Sequence, residues 1–232
     1  MSATRNLPLL LSIALSLSCA TTAPDVQSGA AIDHIMVGVR DLDEGVTAFR
    51  AATGVMPVYG GRHPRYGTHN ALISLGTGTY LELIAPTHEL SDNELVAKLH
   101  KLDRMTPLTW GIRVKDAART RERLVKAGFA VTPVEVGSRA TPAGTTIHWT
   151  TFDFDAIKGA PFFVEWAADT PHPSTTSPGG CKLQSFNVAN PAAKELTRAL
   201  AIAGVATPID PSDRAKITLS LDCGGRIVRF GD

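Results

Sequence analysis

Acidic and imidazole side chains recur at matching points of two similar stretches of this chain, about eighty residues apart. Alignment of the two stretches gives three matched pairs: Asp41 with Asp116, Glu82 with Glu165, and His69 with His148. Carboxylates and imidazoles can coordinate a divalent metal ion or act as general acids and bases. Because an internal repeat indicates the architecture before any single motif does, we expect the two halves to bring these groups to one shared surface.

The elements that position these side chains follow the order strand, helix and three strands. Residues 32–40 are rich in Val, Ile and Met, which favours a strand. Asp41 can cap the following helix, with Glu44 completing a capping box, and Gly54 suits a left-handed helix end. The remaining predicted segments of this unit are a strand at 56–59, a Gly- and Pro-rich loop at 60–67, and a hairpin of strands 69–75 and 79–85.

The second stretch repeats this order after a predicted helical connector at 89–102. Its segments are a strand at 107–115, a helix capped by Asp116 and stopped by Gly128, a strand near 131–136, a loop at 137–145, and a hairpin of 146–154 and 161–168. Residues 171–180 hold three prolines and two glycines, a composition typical of a linker.

A weaker third copy follows the linker. It is predicted as a strand at 182–189, a helix from 190 to 204, and a hairpin of 217–221 and 226–230. On the same alignment Leu183 replaces His34 and Arg229 replaces Glu82, so this copy keeps the scaffold without the polar groups. The predicted organisation has four segments: a signal peptide and tether at 1–30, a first βαβββ module at 31–103, a second βαβββ module at 104–170, and a degenerate βαββ unit at 181–232.

The first thirty residues have the composition of an export signal. Arg5 precedes an apolar run at 7–17, and small residues follow at 18–23. The run is too short to span a bilayer as a helix, which needs about 20 apolar residues. Cys19 lies directly after the run, which indicates a bacterial lipoprotein signal with a lipidated thiol. We therefore expect an exported protein, in the periplasm, in the outer envelope as a lipoprotein, or secreted; an uncleaved leader is the alternative.

Two cysteines remain beyond the leader, Cys181 and Cys223. In an exported chain an even pair favours a disulfide, but burial as two small apolar side chains is equally open. Neither has metal-ligand spacing.

Composition excludes some classes of partner. The chain of 232 residues carries 23 basic and 22 acidic side chains, a formal net charge of +1. This balance gives no electrostatic basis for binding nucleic acid or an anionic membrane surface, so any membrane contact is expected only through a lipid anchor at Cys19. The expected partner is a small molecule.

Several spaced motifs between residues 31 and 186 resemble the glyoxalase-like domains of the vicinal oxygen chelate superfamily. The motifs are Ile32-Asp33-His34-Ile35, Asp41-Leu42-Asp43, Gly67-Thr68-His69-Asn70-Ala71-Leu72, Tyr80-Leu81-Glu82-Leu83-Ile84-Ala85-Pro86 and Pro161-Phe162-Phe163-Val164-Glu165-Trp166. The resemblance implies an α+β fold in which paired βαβββ modules form an open cupped sheet around a divalent metal. It does not select among isomerisation, epimerisation, ring-cleaving dioxygenation and plain binding.

The resemblance also implies metal ligands from the first and fourth strands of each module. Three of those four positions fall on His34, Glu82 and Glu165, and the fourth falls on Thr109 or Trp110. One imidazole and two carboxylates suit Zn, Mn, Fe(II), Ni or Co. The missing fourth ligand puts the usual four-ligand site in doubt.

Strand alternation gives an independent reason to expect a polar site. Even positions of residues 32–40 share one face, so His34 is predicted to face the cup, away from the helix that covers the odd positions. Glu82 and Glu165 lie on apolar strands, where an ionised carboxylate is costly unless it is paired or coordinated. The alternatives are a structural hydrogen bond for His34 and ion pairs of the two acids with Arg113 or Arg139.

Other side chains are predicted to catalyse or to bind substrate. Glu82, Glu165, His69 and His148 are the predicted catalytic groups, and the predicted substrate-binding residues are Arg139, Asn70, Trp110 and Trp149. Arg139 suits bidentate binding of a carboxylate or carbonyl. Arg62 and His63 lie in the Gly-rich loop, for which a solvated loop is the preferred interpretation.

Three functions remain open from the sequence, of which the least favoured is an envelope scaffold that uses the third copy as an interaction surface. The first is an exported metal-dependent enzyme that chelates vicinal oxygens of a small substrate and stabilises an enolate-like charge. The second is a non-catalytic protein of the same fold that sequesters a small molecule in the cup, which the three tryptophans and the missing fourth ligand favour.

Overall fold

A computed structural model of the protein describes residue 1 and residues 31–87 and 93–231. The predicted signal, the tether and the anchor cysteine Cys19 lie outside the described residues, as does the first part of the predicted connector helix.

Twelve strands and five α-helices make up the described parts of the chain. The first module contains β1 (Ala31–Gly38), α1 (Leu42–Thr53), β2 (Val58–His63), a 3-10 turn (Pro64–Tyr66), β3 (Thr68–Ser74) and β4 (Tyr80–Pro86). After α2 (Glu94–Leu99), the second module contains β5 (Thr106–Arg113), α3 (Ala117–Lys126), β6 (Glu135–Ala140), β7 (Thr146–Asp153) and β8 (Phe162–Trp166). The rest contains α4 (Pro173–Thr176), β9 (Lys182–Asn190), α5 (Ala193–Ala203), β10 (Ile209–Pro211), β11 (Lys216–Cys223) and β12 (Arg226–Phe230).

The two modules share one eight-stranded sheet in the order β2-β3-β4-β1-β5-β8-β7-β6. In each module the first strand pairs in parallel with the fourth, and the two first strands pair with each other in antiparallel orientation at the centre. This arrangement confirms the predicted α+β fold with paired βαβββ modules and a cupped sheet.

Helices α1 and α3 begin where the sequence predicts, whereas α5 begins at Ala193 and not at residue 190. Asp41 Oδ1 accepts from the backbone N–H of Glu44 at 2.9 Å, and Gly54 ends α1 in the left-handed conformation. Asp116 caps α3 in the same way. Both helices cover the convex face of the sheet, where alternate apolar side chains of the central strands form the core.

The sheet curls until its two edge strands approach each other. The guanidinium of Arg65, in the turn after β2, lies 3.0 Å from the carboxylate of Glu135 on β6. Arg139 of β6 donates to the backbone carbonyl of Gly60 on β2. The concave face is therefore a nearly closed cup.

The C-terminal unit packs behind the sheet. Its four strands have the order β10-β9-β11-β12, so its first strand pairs with β11 and not with its last strand. This order, and the additional short strand β10, distinguish the unit from the two modules. Phe186 of β9 contacts Trp110 edge-on, and Phe230 of β12 stacks on Phe49 of α1. The unit thus completes the core on the convex side.

Cys181 and Cys223 form a disulfide that joins the start of β9 to the end of β11. Of the two predicted alternatives, the structure therefore contains the cross-link. No helix within the described residues is long and apolar enough to cross a membrane.

Loss of this disulfide is expected to destabilise the protein by about 4 kcal/mol, because a closed loop of 42 residues restricts the unfolded chain. Urea unfolding of the Cys181→Ala/Cys223→Ala variant measures the effect, with Cys19→Ser as the control for removal of a thiol. A loss below about 1 kcal/mol would contradict an entropic role of the cross-link.

Candidate active site

The concave face encloses a cavity of about 260 Å³ between the two modules. Its wall consists of cup-facing side chains from all eight strands of the sheet together with a residue each from the 3-10 turn and α2. They are His34, Met36, His63, Tyr66, Thr68, Asn70, Tyr80, Glu82, Ile84, Leu95, Thr109, Arg139, Trp149, Thr151, Asp153, Phe162, Val164 and Trp166. The wall therefore combines nine apolar or aromatic residues with nine polar ones.

A bulge in β1 brings the buried side chain of Asp33 next to that of the cavity residue His34. The β1–β5 pairing skips from Ile32 to His34, so Asp33 is the extra residue. Asp33 is fully buried, and its Oδ1 lies 2.7 Å from Nδ1 of His34. Because an ionised carboxylate only accepts, Nδ1 of His34 carries a proton and donates it, so in the neutral ring the lone pair is on Nε2. Nε2 lies 3.6 Å from Oε2 of Glu82, another residue of the cavity wall.

Aromatic packing fixes the ring of His34. Tyr80 stacks on it with ring centroids 4.6 Å apart, and Phe162 contacts it edge-on at 5.1 Å. Gly111 leaves room for the ring, since a Cβ there would lie 2.9 Å from Cε1 of His34. His34 is thus held in one orientation.

Asp33 is the centre of a buried hydrogen-bond network. Its Oδ2 lies 2.9 Å from Nε2 of His172 and accepts from the indole N–H of Trp166 at 3.1 Å. The guanidinium of Arg113 lies 3.7 Å from the same oxygen. Burial acts to raise the pKa of Asp33, but hydrogen bonds from His172 and His34 outweigh it, so this pKa lies below its ordinary value. Asp33 is therefore an ionised carboxylate.

Glu82 belongs to a second polar network on the same side of the cavity. Asn70 donates from Nδ2 to Oε1 of Glu82 at 2.7 Å, and the same amide nitrogen lies 3.5 Å from Nε2 of His63. Nδ1 of His63 lies 3.2 Å from Oγ1 of Thr68. Burial lowers the pKa of His63, with a smaller opposing effect of Glu82. A neutral His63 therefore lies in the cavity wall.

Arg139 provides positive charge at the cavity. Its side chain is buried, and one of its amino groups donates to the Gly60 carbonyl. Burial lowers the pKa of Arg139, although a guanidinium remains charged at any ordinary pH. The negative charge of Glu82 acts to raise the pKa of the guanidinium. The predicted substrate-binding residues Arg139, Asn70 and Trp149 all line the cavity.

Glu165 does not join this site, so its predicted role as metal ligand and catalytic group is wrong. Its Oε2 accepts from the backbone N–H of Ala117 at 2.7 Å, at the first residue of α3. Phe162, Val164 and Trp166 of the same strand line the cavity, so alternation directs Glu165 to the convex face. There it binds a helix N-terminus, a favourable position for a carboxylate.

Three other predicted residues also lie away from the cavity wall. Trp110 is fully buried on the convex side against Phe186, so it cannot bind substrate in the cup. His69 alternates with Asn70 on β3 and contacts Tyr59 edge-on. His148 is exposed on β7, next to the cavity residue Trp149. The predicted catalytic roles of His69 and His148 are therefore corrected as well.

Strand register explains these errors. In the first module Met36 pairs with Glu82, and in the second module Gly111 pairs with Phe162. The equivalent helix caps Asp41 and Asp116 make Thr109 the counterpart of His34 and Gly111 that of Met36, and the central pairing of His34 with Gly111 and of Met36 with Thr109 agrees with this match. Phe162 is therefore the counterpart of Glu82. Glu165 lies three residues further along, and an odd slip reverses the face of a strand.

The same register decides whether the side chains fit the metal that the superfamily implies. Of the four ligand positions, His34 and Glu82 hold donors for a metal, whereas Thr109 donates its hydroxyl to the Ala160 carbonyl and Phe162 has no donor atom. Within residues 31–87 and 93–231, no group of three or more His, Cys, Asp and Glu side chains is placed to hold an ion. The donor set does not fit a resident four-ligand metal.

Sequence reasoning missed three residues of the site. His63 was assigned to a solvated loop, but β2 continues to His63 and turns it inward. His172 was placed in a linker, and Asp33 was treated only as part of a motif. The adjacent Asp33-His34 pair was a usable signal, because an acid beside a histidine often sets the histidine tautomer.

Substitution of each glutamate by glutamine distinguishes the residue that faces the cavity from the residue on the convex face. Glu82→Gln is expected to weaken ligand binding in the cavity by about tenfold or more, because it removes a charge at a buried hydrogen-bonded site. Glu165→Gln, a matched control, is expected to leave binding unchanged and to cost about 1 kcal/mol of stability at the N-terminus of α3. Ligand titrations and urea unfolding of both variants measure these effects. Equal binding losses would contradict the assignment of faces.

The fold occurs in known proteins. The chain belongs to the glyoxalase-like domain family of the vicinal oxygen chelate superfamily, whose family model, described as "Glyoxalase-like domain", matches residues 32–204. No curated protein matches the chain in sequence.

Solved structures share the fold at low sequence identity. A hypothetical protein from Staphylococcus aureus is 16% identical, with a TM-score of 0.62, over 87% of this chain and 98% of that chain. The aligned part of this chain is longer than the two modules together. The C-terminal unit is therefore part of the shared fold. Methylmalonyl-CoA epimerase from Mycobacterium tuberculosis is 22% identical, with a TM-score of 0.44, over 58% of this chain and 85% of that chain.

Proposed function

We propose that the protein is an acid–base enzyme that removes a proton from a carbon next to a carbonyl group of a small substrate. The observation that carries this proposal is the 2.7 Å hydrogen bond between Asp33 and Nδ1 of His34, which leaves Nε2 as a base facing the cavity. A histidine held by a buried carboxylate is a common general base, because the carboxylate fixes its tautomer and stabilises the imidazolium that forms.

The proposed step uses only groups of this chain. The C–H bond of the substrate breaks, the proton goes to Nε2 of His34, and the electron pair moves to the carbonyl oxygen as an enolate. Arg139 supports that step as a buried cation able to bind the developing oxyanion or a substrate carboxylate. Return of the proton to either face of the same carbon, or to a neighbouring atom, completes an epimerisation or an isomerisation without a redox partner.

The size and wall of the cavity support a small substrate with a planar or aromatic part. A volume of about 260 Å³ lies just below the range of about 300–1,000 Å³ that is typical of small-molecule sites. Trp149, Trp166 and Phe162 provide flat apolar surface in the same wall as the polar groups of β1, β3 and β4.

Hydrogen–deuterium exchange tests the proposal without knowledge of the product. Small 2-oxo acids, hydroxyketones and aryl ketones are incubated with the protein in D₂O, and loss of the proton signal next to the carbonyl is followed by NMR. We expect at least one compound to exchange, and His34→Gln to lower its rate by about 10²- to 10⁴-fold. Exchange that survives in His34→Gln would exclude His34 as the base.

Metal dependence, expected from the superfamily, is a separate question in the same assay. We expect exchange to continue in the presence of a chelator and to gain little from added Zn²⁺, Mn²⁺, Fe²⁺, Ni²⁺ or Co²⁺, because Thr109 and Phe162 provide no ligands at two of the four positions. Abolition by the chelator and recovery with one ion would instead support the metal-dependent enzyme.

A small-molecule binding protein is the second candidate, favoured by the two cavity tryptophans. It predicts ligands that quench the fluorescence of Trp149 and Trp166 but exchange no protons. Fluorescence titration of the same compounds distinguishes the binder from the enzyme.

We also propose that the protein acts outside the cytoplasm. The Cys181–Cys223 disulfide supports this location, since such bonds persist in oxidising compartments. Fractionation of cells that express the full chain tests it, and Cys19→Ser tests a lipid anchor.

A further inference from the structure

The segment after the second module folds back onto the first module. Ser74 donates from its hydroxyl to the Ser174 carbonyl at 2.7 Å and from its backbone N–H to the Pro178 carbonyl at 2.9 Å. The backbone N–H of Gly78 donates to Oγ of Ser174 at 3.0 Å. The sequence predicts a linker here, but these bonds anchor residues 172–178 to the β3–β4 hairpin.

This anchored segment brings His172 to the buried carboxylate of Asp33. Nδ1 of His172 accepts from the backbone N–H of Ser174 at 3.2 Å and lies 2.8 Å from its hydroxyl. An Nδ1 that accepts leaves the proton on Nε2, which lies 2.9 Å from Oδ2 of Asp33 and donates to it. The rings of Trp166 and Tyr80 contact His172 edge-on. Both the tautomer and the position of His172 are therefore defined.

We propose that His172 is a positioning residue that holds Asp33, and through it His34, in the orientation needed for a base. The inference rests on the proposed role of His34 and adds a second histidine on the opposite oxygen of the same carboxylate. One side chain from a segment outside both modules thus completes the site between them.

The physical reason lies in the groups around Asp33. Donors approach its Oδ2 from three elements: His172, Trp166 of β8 and, more distantly, Arg113 of β5. Nη1 of Arg113 also donates to the Gly78 carbonyl and lies 3.4 Å from Nε2 of His172. Without His172, the carboxylate can turn toward the half-exposed guanidinium or toward water. It would then lose the in-line hydrogen bond that sets the tautomer of His34.

Long-range ¹H–¹⁵N spectra of histidine-labelled protein test the proposal directly. At about pH 8, where an ordinary imidazole is neutral, we expect the wild type to show His34 protonated on Nδ1 and His172 protonated on Nε2. His172→Ala is expected to convert His34 to a mixture of tautomers. His172→Gln is expected to retain the wild-type His34 signal, because its amide can donate to Asp33 from the place of Nε2. His148→Gln is the matched control on an exposed histidine.

The proton-exchange assay adds a second measurement. We expect His172→Ala to lower kcat by about 10- to 100-fold with little change in KM, and His172→Gln to recover most of the loss. A residue that only stabilised the fold would not give this selective recovery.

Two results would overturn the proposal: a wild-type His172 protonated on Nδ1, or an unchanged His34 tautomer in His172→Ala. If His172→Ala does not fold, the wild-type spectrum decides by itself. The expected tautomers without any catalysed exchange would contradict the proposed function and support this inference.

Discussion

Asp33→Asn is expected to lower catalysed proton exchange by about 10³- to 10⁴-fold while the protein stays folded. An amide at this position offers an N–H where the carboxylate accepts from Nδ1 of His34. The imidazole must then reverse its tautomer, which places a proton on Nε2 and removes the base from the cavity. Exchange rates in D₂O, with circular dichroism as the check of folding, measure the effect.

A matched substitution at another aspartate controls for the loss of an acidic group. Asp43→Asn removes a carboxylate from the exposed first turn of α1 and is expected to leave the exchange rate unchanged. A rate for Asp33→Asn within tenfold of the wild type would show that His34 does not depend on Asp33.

The same carboxylate contributes to stability in a defined pH range. Because the pKa of Asp33 is lowered in the folded protein from an ordinary value of 3.8, its contribution is complete above about pH 5 and is lost as the pH falls through 3.8 toward the folded value. Urea unfolding between about pH 7 and pH 3 should therefore show a decline in the wild type that is smaller in Asp33→Asn.

The fold could be predicted from the sequence because several local signals agree. Asp41 and Asp116 cap their helices, and Gly54 ends α1 in the left-handed conformation, as the spacing required. The alternation of β1 also placed His34 on the concave face correctly. Each of these signals depends on neighbours a few residues apart, so no knowledge of the tertiary structure was needed.

The second half of the site could not be predicted in the same way. Glu82 and Glu165 were matched because both are acids in apolar strands, but the pairing of Gly111 with Phe162 sets the register. Hydrogen bonds between strands distant in sequence fix this register, and composition does not encode them. The alignment made from the sequence was wrong by three residues. It matched Glu82 with Glu165, which binds the N-terminus of α3, and not with the cavity residue Phe162.

His172 illustrates a different limit. Its place depends on hydrogen bonds that anchor a Pro-rich segment to a hairpin about one hundred residues earlier. A segment rich in Pro, Gly and Ser is usually a connection at the surface, so its composition indicated a linker. In this chain the linker also carries a side chain of the site.

Thr109→His combined with Phe162→Glu is expected to create a metal site in the cup. If Thr109 is the counterpart of His34 and Phe162 of Glu82, the double variant presents two imidazoles and two carboxylates to one point between the modules. We expect it to bind Zn²⁺ at least about a thousandfold more tightly than the wild type, whose cup offers His34 and Glu82 at these positions. Competition with a chromophoric chelator, on protein without an affinity tag, measures the affinity.

The alignment made from the sequence, which matches Glu82 with Glu165, provides the control. Trp110→His, with the native Glu165, places both groups on the convex face and is expected to gain no affinity, because Trp110 packs on Phe186 and Glu165 binds Ala117. Each single variant of the pair should gain only part of the increase, since a tetrahedral site needs all its ligands to converge. Tight binding by Trp110→His, or none by the double variant, would show that the register between the modules differs from the one described.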